Sequence, residues 1–208
     1  MNRSASILFS ISLAALSGCS TLKPTTSSPR YFRLVPAQAS EKATVTNTTQ
    51  TALESRHASG SSIAIASITI PDYLTKKSIA VRRSANEIEY LESALWAERL
   101  EEGFLRVLTV SLASQLPGHT VRQTLSRNHE VDLAIQITVQ EFDLSMTGEG
   151  VLSAEWRIVS PATGKTIGAG QSHFSRKGPN PTQDPGGAVS TLSALIEDLS
   201  GALRKVIP

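Results

Sequence analysis

Hydrophobic and polar residues alternate most cleanly where Val131, Leu133, Ile135, Ile137 and Val139 are separated by Asp132, Ala134, Gln136 and Thr138. A period of two sends the two sets to opposite faces, so this stretch predicts a half-buried β-strand. The apolar set then resumes on even numbers, at Phe142, Leu144 and Met146. An uncorrected slip of one residue would turn the strand inside out, and a β-bulge is therefore expected near Gln140 and Glu141. Leu152, Ala154, Trp156 and Ile158 mark a second alternating strand, residues 160–165 a turn, and residues 166–176 its partner, loosened by Gly168 and Gly170. Upstream, Ile63, Ile65, Ile68 and Ile70 form a β-branched run stopped by Pro71. With Ile79–Val81 and Ile88–Leu91 it predicts three strands of an antiparallel set, and residues 31–35 predict a short strand ended by Pro36.

The period changes twice. Trp96, Leu100, Phe104, Val107, Leu108 and Leu112 recur at steps of three and four within 95–116, with Glu98, Arg99, Glu101, Glu102 and Arg106 on the other side. This predicts an amphipathic helix beginning at Trp96 and ended by Pro117 and Gly118. Leu192, Leu195, Ile196, Leu199, Leu203 and Val206 repeat the pattern over 188–206. Asp184 or the glycines after it are placed to cap that helix, and Arg204 and Lys205 fall in its last turn, where the helix dipole favours cations. Strands, helix, strands, helix predict an α+β fold: a largely antiparallel sheet with two amphipathic helices packed on one face.

The N-terminus carries a different signal. Arg3 precedes an apolar run at 7–16 of about ten residues, which suits a signal-peptide core and is short of the ~20 a membrane-spanning helix needs. The run closes on Leu16, Ser17, Gly18 and Cys19, the last being the chain's one cysteine. A branched residue, two small residues and a cysteine resemble the bacterial lipobox, which implies cleavage before Cys19 and acylation of its thiol. The alternative, an ordinary secretory leader, would leave a lone free thiol in an oxidising compartment. The expected organisation is a signal peptide at 1–18, a lipid-anchored linker at 19–30 and one domain at 31–208. A Thr-, Ser- and Ala-rich insertion at 37–60 is expected to be flexible. Ser20, standing where an aspartate would signal retention at the inner membrane, favours the periplasmic face of the outer membrane.

Composition narrows the function classes. The 208 residues carry 20 Lys and Arg against 18 Asp and Glu. Losing Arg3 with the leader leaves 19 against 18, which excludes the basic stripe nucleic acid binding requires. The segment Thr163, Gly164, Lys165, Thr166 ends like a phosphate loop, yet it falls between two strands and position 159 is Val where the motif wants Gly. His57, His119, His129 and His173 never pair at helical spacing, giving no support for a metal site. Glu98, Glu101 and Glu102 lie on the polar side of the first helix, where Glu102 can pair with Arg106. No catalytic residue, cofactor or metal is expected. If the chain were a hydrolase, Ser172 beside His173 would be the pair to examine.

Two features remain. Pro71, Tyr73, Leu74, Lys76, Lys77 and Arg82 lie in and around a turn that interrupts the strands, and Trp96 stands at the expected helix start. These aromatics either pack the core or anchor a docking surface, since Tyr, Trp and Arg are favoured at interfaces. Both possibilities stay open on the sequence.

The lipobox at Cys19, the early Tyr31–Leu34 strand, Pro71-x-Tyr73-Leu74 followed by Ile79-x-x-Arg82, Trp96-Ala97-Glu98-x-Leu100, and a later strand with Trp156 together resemble the ABC-type transport auxiliary lipoproteins. The resemblance implies a non-enzymatic outer-membrane lipoprotein serving an MCE-type intermembrane lipid transport system, whose other subunits supply the ATPase, the permease and the periplasmic conduit. It further implies contact with the MCE subunit, for which Tyr73, Leu74, Arg82 and Trp96 are the candidate docking residues, and it allows a homo-oligomeric ring. A lipoprotein of another envelope assembly, for secretion or lipopolysaccharide, is the alternative.

Overall fold

The computed structural model describes residues 28–36, 60–123 and 131–208. The expected signal segment, Cys19, most of the linker and nearly all of the 37–60 insertion lie outside them. The described elements are β1 (Arg30–Phe32), β2 (Ser62–Thr69), a single 3-10 turn (Asp72–Leu74), β3 (Ser78–Ser84), β4 (Glu87–Trp96), α1 (Leu100–Gln115), β5 (Thr120–Gln123), β6 (Leu133–Ser145), β7 (Glu149–Val159), β8 (Thr166–Lys177) and α2 (Pro185–Arg204).

The strand with the cleanest alternation, β6, is the spine of an open, mixed sheet. Along one edge β7 runs antiparallel from Ala134↔Val159 to Leu144↔Gly150, and β8 runs antiparallel to β7. Along the other edge two parallel partners share the spine: β2 covers Leu133 to Thr138, and β3 covers Leu144 and Ser145. β5 continues from β2, while β4 and then β1 continue from β3. The expected bulge lies between Val139 and Glu141, where one edge partner gives way to the other. A bulge bends its strand and adds twist. Here it splays the sheet so that two strand groups can leave a single spine.

The inward set of β6, namely Ile135, Ile137, Val139, Phe142 and Leu144, is covered by α1 and α2 lying side by side. Phe104 of α1 meets Phe142 edge to face, with ring centroids 5.2 Å apart at 74°. The α+β class and the two-helix layer follow the sequence expectation. The long antiparallel ladders are β6–β7 and β7–β8, with parallel pairings joining β2 and β3 to the spine.

Several local expectations need correction. β2 does not pair with β3: Pro71 stops it, the 3-10 turn carries the chain away, and β2 settles between β5 and β6. Ile63 and Ile65 are fully buried there, a burial that an interior strand provides and an edge strand does not. The first helix starts at Leu100, and Trp96 is the last residue of β4. Its backbone is held in the sheet, with Trp96 N donating to Lys77 O at 2.7 Å and Ala97 N donating to Phe32 O at 2.8 Å. Arg106 pairs with Glu98 and also donates to Leu34 O at 2.9 Å, so the expected Glu102–Arg106 pair is replaced by a tie to the segment after β1. Leu34, 1% exposed, is thereby fixed in the core. α2 begins at Pro185, with Asp184 as its cap accepting from Gly187 N at 2.9 Å.

Trp156 lies against the weakest-looking strand. Its Nε1 donates to Ser172 Oγ at 3.0 Å, and a Cβ placed on Gly170 would come within 2.8 Å of its ring. The glycine in β8 is therefore a seat for the indole. Gly170→Val is expected to lower stability by about 1–3 kcal/mol through overpacking, measured as a shift in urea midpoint at unchanged slope.

Candidate functional site

The bulge that splits the sheet also builds the site. Before it, Gln136 and Thr138 face away from the helices; after it, Glu141 and Asp143 take that direction, flanked by buried Phe142 and Leu144. Asp143 would stand on an open sheet face, yet it is only 2% exposed because the Asp72–Leu74 turn lies over it. The turn is tight, with Leu74 N donating to Pro71 O and Thr75 N to Asp72 O, both at 3.0 Å. Leu74 drops into the core at 4% exposure, which leaves the neighbouring Tyr73 pointing at the carboxylate.

Tyr73 Oη donates to Asp143 Oδ2 at 2.9 Å, and Arg82 Nε donates to Asp143 Oδ1 at 3.0 Å. Arg82 Nε is also 3.3 Å from Glu141 Oε1, and Tyr90 Oη donates to Tyr73 O at 3.1 Å. One buried carboxylate thus ties the turn, through Tyr73, and β3, through Arg82, to the spine strand. Burial, reinforced by the charge and hydrogen bond of Asp143, pushes the Tyr73 phenol well above the usual tyrosine range. A phenol held protonated in the folded state contributes fully below the unfolded tyrosine pKa of about 10, and its contribution is lost as pH rises beyond that value. The protein is expected to lose stability above about pH 10, and Tyr73→Phe to lose it less steeply, as read from urea midpoints across an alkaline series.

Of the four residues singled out for docking, Tyr73 and Arg82 meet at this clamp, and Leu74 is buried in the core beside it. Trp96 lies next door at the end of β4, 5% exposed, joined to the loop after the turn through Lys77. With Thr75, Lys76, Lys77, Ala97, Glu98, Arg99 and Leu100 it lines a hollow of about 320 Å³. Leu74 and Trp96 therefore support this surface from beneath, while Tyr73 and Arg82 are partly accessible. Asp143, around which the cluster is organised, escaped the sequence pattern. Its signal was present: an aspartate inside a strand, where that residue is depleted, with large apolar residues on both sides just past a phase slip.

Asp143 accepts from a phenol and a guanidinium at once, while Arg82 Nη2 is buried without a hydrogen-bond partner among the described residues. Ser172 and His173 are consecutive in β8 and project to opposite faces, and Ser172 is engaged by Trp156, so they do not form a catalytic pair. Residues 163–166 lie at the β7–β8 turn and the start of β8, with no helix following. Among the described residues no group of three or more His, Cys, Asp or Glu is placed to hold a metal ion, and no helix is long and apolar enough to cross a membrane.

Known proteins match this chain at both levels. Intermembrane transport lipoprotein PqiC of Escherichia coli K12 is 29% identical over 92 residues, which is 44% of this chain and 48% of that protein. PqiC of Shigella flexneri matches to the same extent, so the chain spans about half the length of the curated relatives it matches. In fold it is similar to a crystal structure of an uncharacterised protein, with a TM-score of 0.67, 21% identity, and coverage of 88% of this chain and 100% of the other. A crystal structure from Xanthomonas campestris gives 0.57 at 11% identity, covering 69% and 81%. The model of the family described as ABC-type transport auxiliary lipoprotein component matches residues 37–203, a span that holds Tyr73, Leu74, Arg82, Trp96 and Asp143. The chain belongs to that family.

Proposed function

We propose that this chain is a non-enzymatic adaptor of an MCE/ABC-type intermembrane lipid transport system, held by acyl chains on Cys19 at the periplasmic face of the outer membrane. On this reading residues 1–18 are removed, residues 19–30 form the tether, and the body at 31–208 meets the MCE-domain subunit. The observation that carries the adaptor role is the use of the polar groups at the clamp. Asp143 is shared by Tyr73 and Arg82, an arrangement that fixes the shape of a surface. Family membership and the name of the matching relatives point to transport between membranes.

The docking surface is the outer side of the turn, where Tyr73 and Arg82 are presented and Leu74 and Trp96 hold them from below. Tyr73→Ala, which removes the ring while leaving Asp143 paired with Arg82, is expected to reduce recovery of the MCE subunit at least tenfold when the protein is captured from detergent-solubilised membranes. Recovery of secretion or lipopolysaccharide-export components in place of MCE and ABC subunits would move the adaptor to another envelope assembly.

A further inference from the structure

We infer that the corner where β1 meets β4 is a contact surface for anionic lipid headgroups. The inference takes its geometry from the proposed acylation of Cys19, which its test does not require. Two of the chain's 3 tyrosines stand here, Tyr31 on β1 and Tyr90 on β4, while Tyr73 offers its carbonyl to Tyr90 and turns its phenol to Asp143 at the clamp. Lys76 Nζ stands 4.1 Å from the Tyr90 ring centroid, Lys77 Nζ 5.1 Å from that of Tyr31, and Arg30 Cζ 5.1 Å from that of Phe32. Arg30 and Phe32 share the face of β1 opposite Tyr31, so the two lysine contacts define the corner.

Several arginines elsewhere are engaged by acids. Arg83, Arg99, Arg106 and Arg176 each pair with a carboxylate, whereas Arg30, Lys76 and Lys77 have none within 4.0 Å among the described residues. On β4 the Glu87 and Glu89 carboxylates are taken by Arg83, which leaves Glu92 as the exposed acid of that strand. Among the described residues, Lys76 and Lys77 thus present ammonium groups free of ion pairs beside the rings of Tyr90 and Tyr31. Tyr31 is 56% exposed, unusual for so large a side chain in this protein. A tyrosine ring beside a lysine suits a headgroup layer, since the ring sits among the upper acyl and glycerol groups while the ammonium reaches a phosphate.

A lipid surface is favoured as occupant by where the tether ends. Arg30 follows Cys19 by eleven positions in the chain, so even a fully extended connection spans at most about 40 Å. It leads into β1, the strand that bears Tyr31. A short tether raises the local concentration of the patch at the membrane to the millimolar range, where contacts too weak to hold a free protein still orient an anchored one.

The test uses the full chain carrying Cys19→Ser, which cannot be acylated, sedimented with vesicles of phosphatidylcholine alone or with about one quarter phosphatidylglycerol. The apolar run at 7–16 is common to every variant, and the neutral vesicles measure its contribution, so the readout is the ratio of the two partition coefficients. That ratio is expected to favour the anionic vesicles, to shrink in high salt, and to fall about thirtyfold in Lys76→Gln/Lys77→Gln. Lys165→Gln/Lys177→Gln, on the β8 side at the opposite edge of the sheet, is expected to leave it unchanged. Equal partition into both vesicle types, an equal loss in the Lys165/Lys177 variant, or lysine-dependent self-association without vesicles would each overturn the inference. An unmodified Cys19 in the native protein would remove the tether and the proposed anchoring while leaving the vesicle ratio as measured, so the two failures are distinguishable.

Discussion

Asp143→Ala is expected to be the most destabilising single substitution at the clamp, costing about 3–5 kcal/mol, because removing one partner of a buried ion pair strands the other. Two donors lose their acceptor at once. Tyr73 Oη is half-buried under the turn, and Arg82, with 26% of its side chain exposed, retains some water and Glu141. The converse substitutions are therefore milder: Tyr73→Phe removes one hydrogen bond to a charged acceptor, about 1.5–3 kcal/mol at most, and Arg82→Met is softened by the residual exposure of the site. For a body of this size each kilocalorie moves the melting temperature by about 2–4 °C, so Asp143→Ala should lower it by roughly 6–20 °C. A double-mutant cycle between Asp143→Ala and Tyr73→Phe is expected to show coupling of about 1–2 kcal/mol. A variant lacking Asp143 that unfolds within about 0.5 kcal/mol of the parent, the range of an ordinary surface change, would show that the carboxylate holds nothing.

The same residues show what periodicity encodes. β6, β7 and both helices were legible because each buries one face against a single layer, and the sequence period follows directly from that burial. Even the bulge could be located, since a strand that must keep one face inward records a phase slip in its apolar positions. Pairing partners are a different matter. Ile63, Ile65 and Ile68 say that β2 is buried, but a strand buried on both faces carries no mark of whether its neighbour runs parallel or is next in the chain. Trp96 was misassigned for a related reason: a strand end and the helix after it press on the same core, so Trp96, Leu100 and Phe104 line up at helical spacing across a boundary where Ala97 still donates to β1. β5 has one apolar residue, Val121, in four, and is visible only through its partner β2. At the site, Tyr73 and Arg82 could be named from their neighbourhood in the chain, whereas Asp143, 70 positions from Tyr73, becomes their partner only when the turn folds back over the spine.

Cys19→Ala is expected to remove the protein from the outer-membrane fraction and leave an uncleaved precursor or a soluble periplasmic form, followed by fractionation and by the mass of the amino terminus. The expectation follows from what else could hold the chain. No described helix is long and apolar enough to cross a membrane, and the two amphipathic helices have their apolar faces committed to the sheet. The lysine and tyrosine corner adds only a contact of about 1 kcal/mol per charge, which salt weakens. Acyl chains act on another scale: each buried methylene contributes about 0.8 kcal/mol, and where one myristoyl chain gives only marginal binding, the three chains of a bacterial lipoprotein make release negligible. The two contributions separate by experiment. Loss of the anchor should abolish outer-membrane fractionation with the folded body intact, whereas loss of Lys76 and Lys77 should leave fractionation unchanged and alter only the preference for anionic lipid. Persistence of the Cys19→Ala protein at the outer membrane would mean that the body, through a partner or a surface of its own, is the anchor, and the short reach from Cys19 to β1 would then no longer favour lipid as the occupant of the Tyr31 corner.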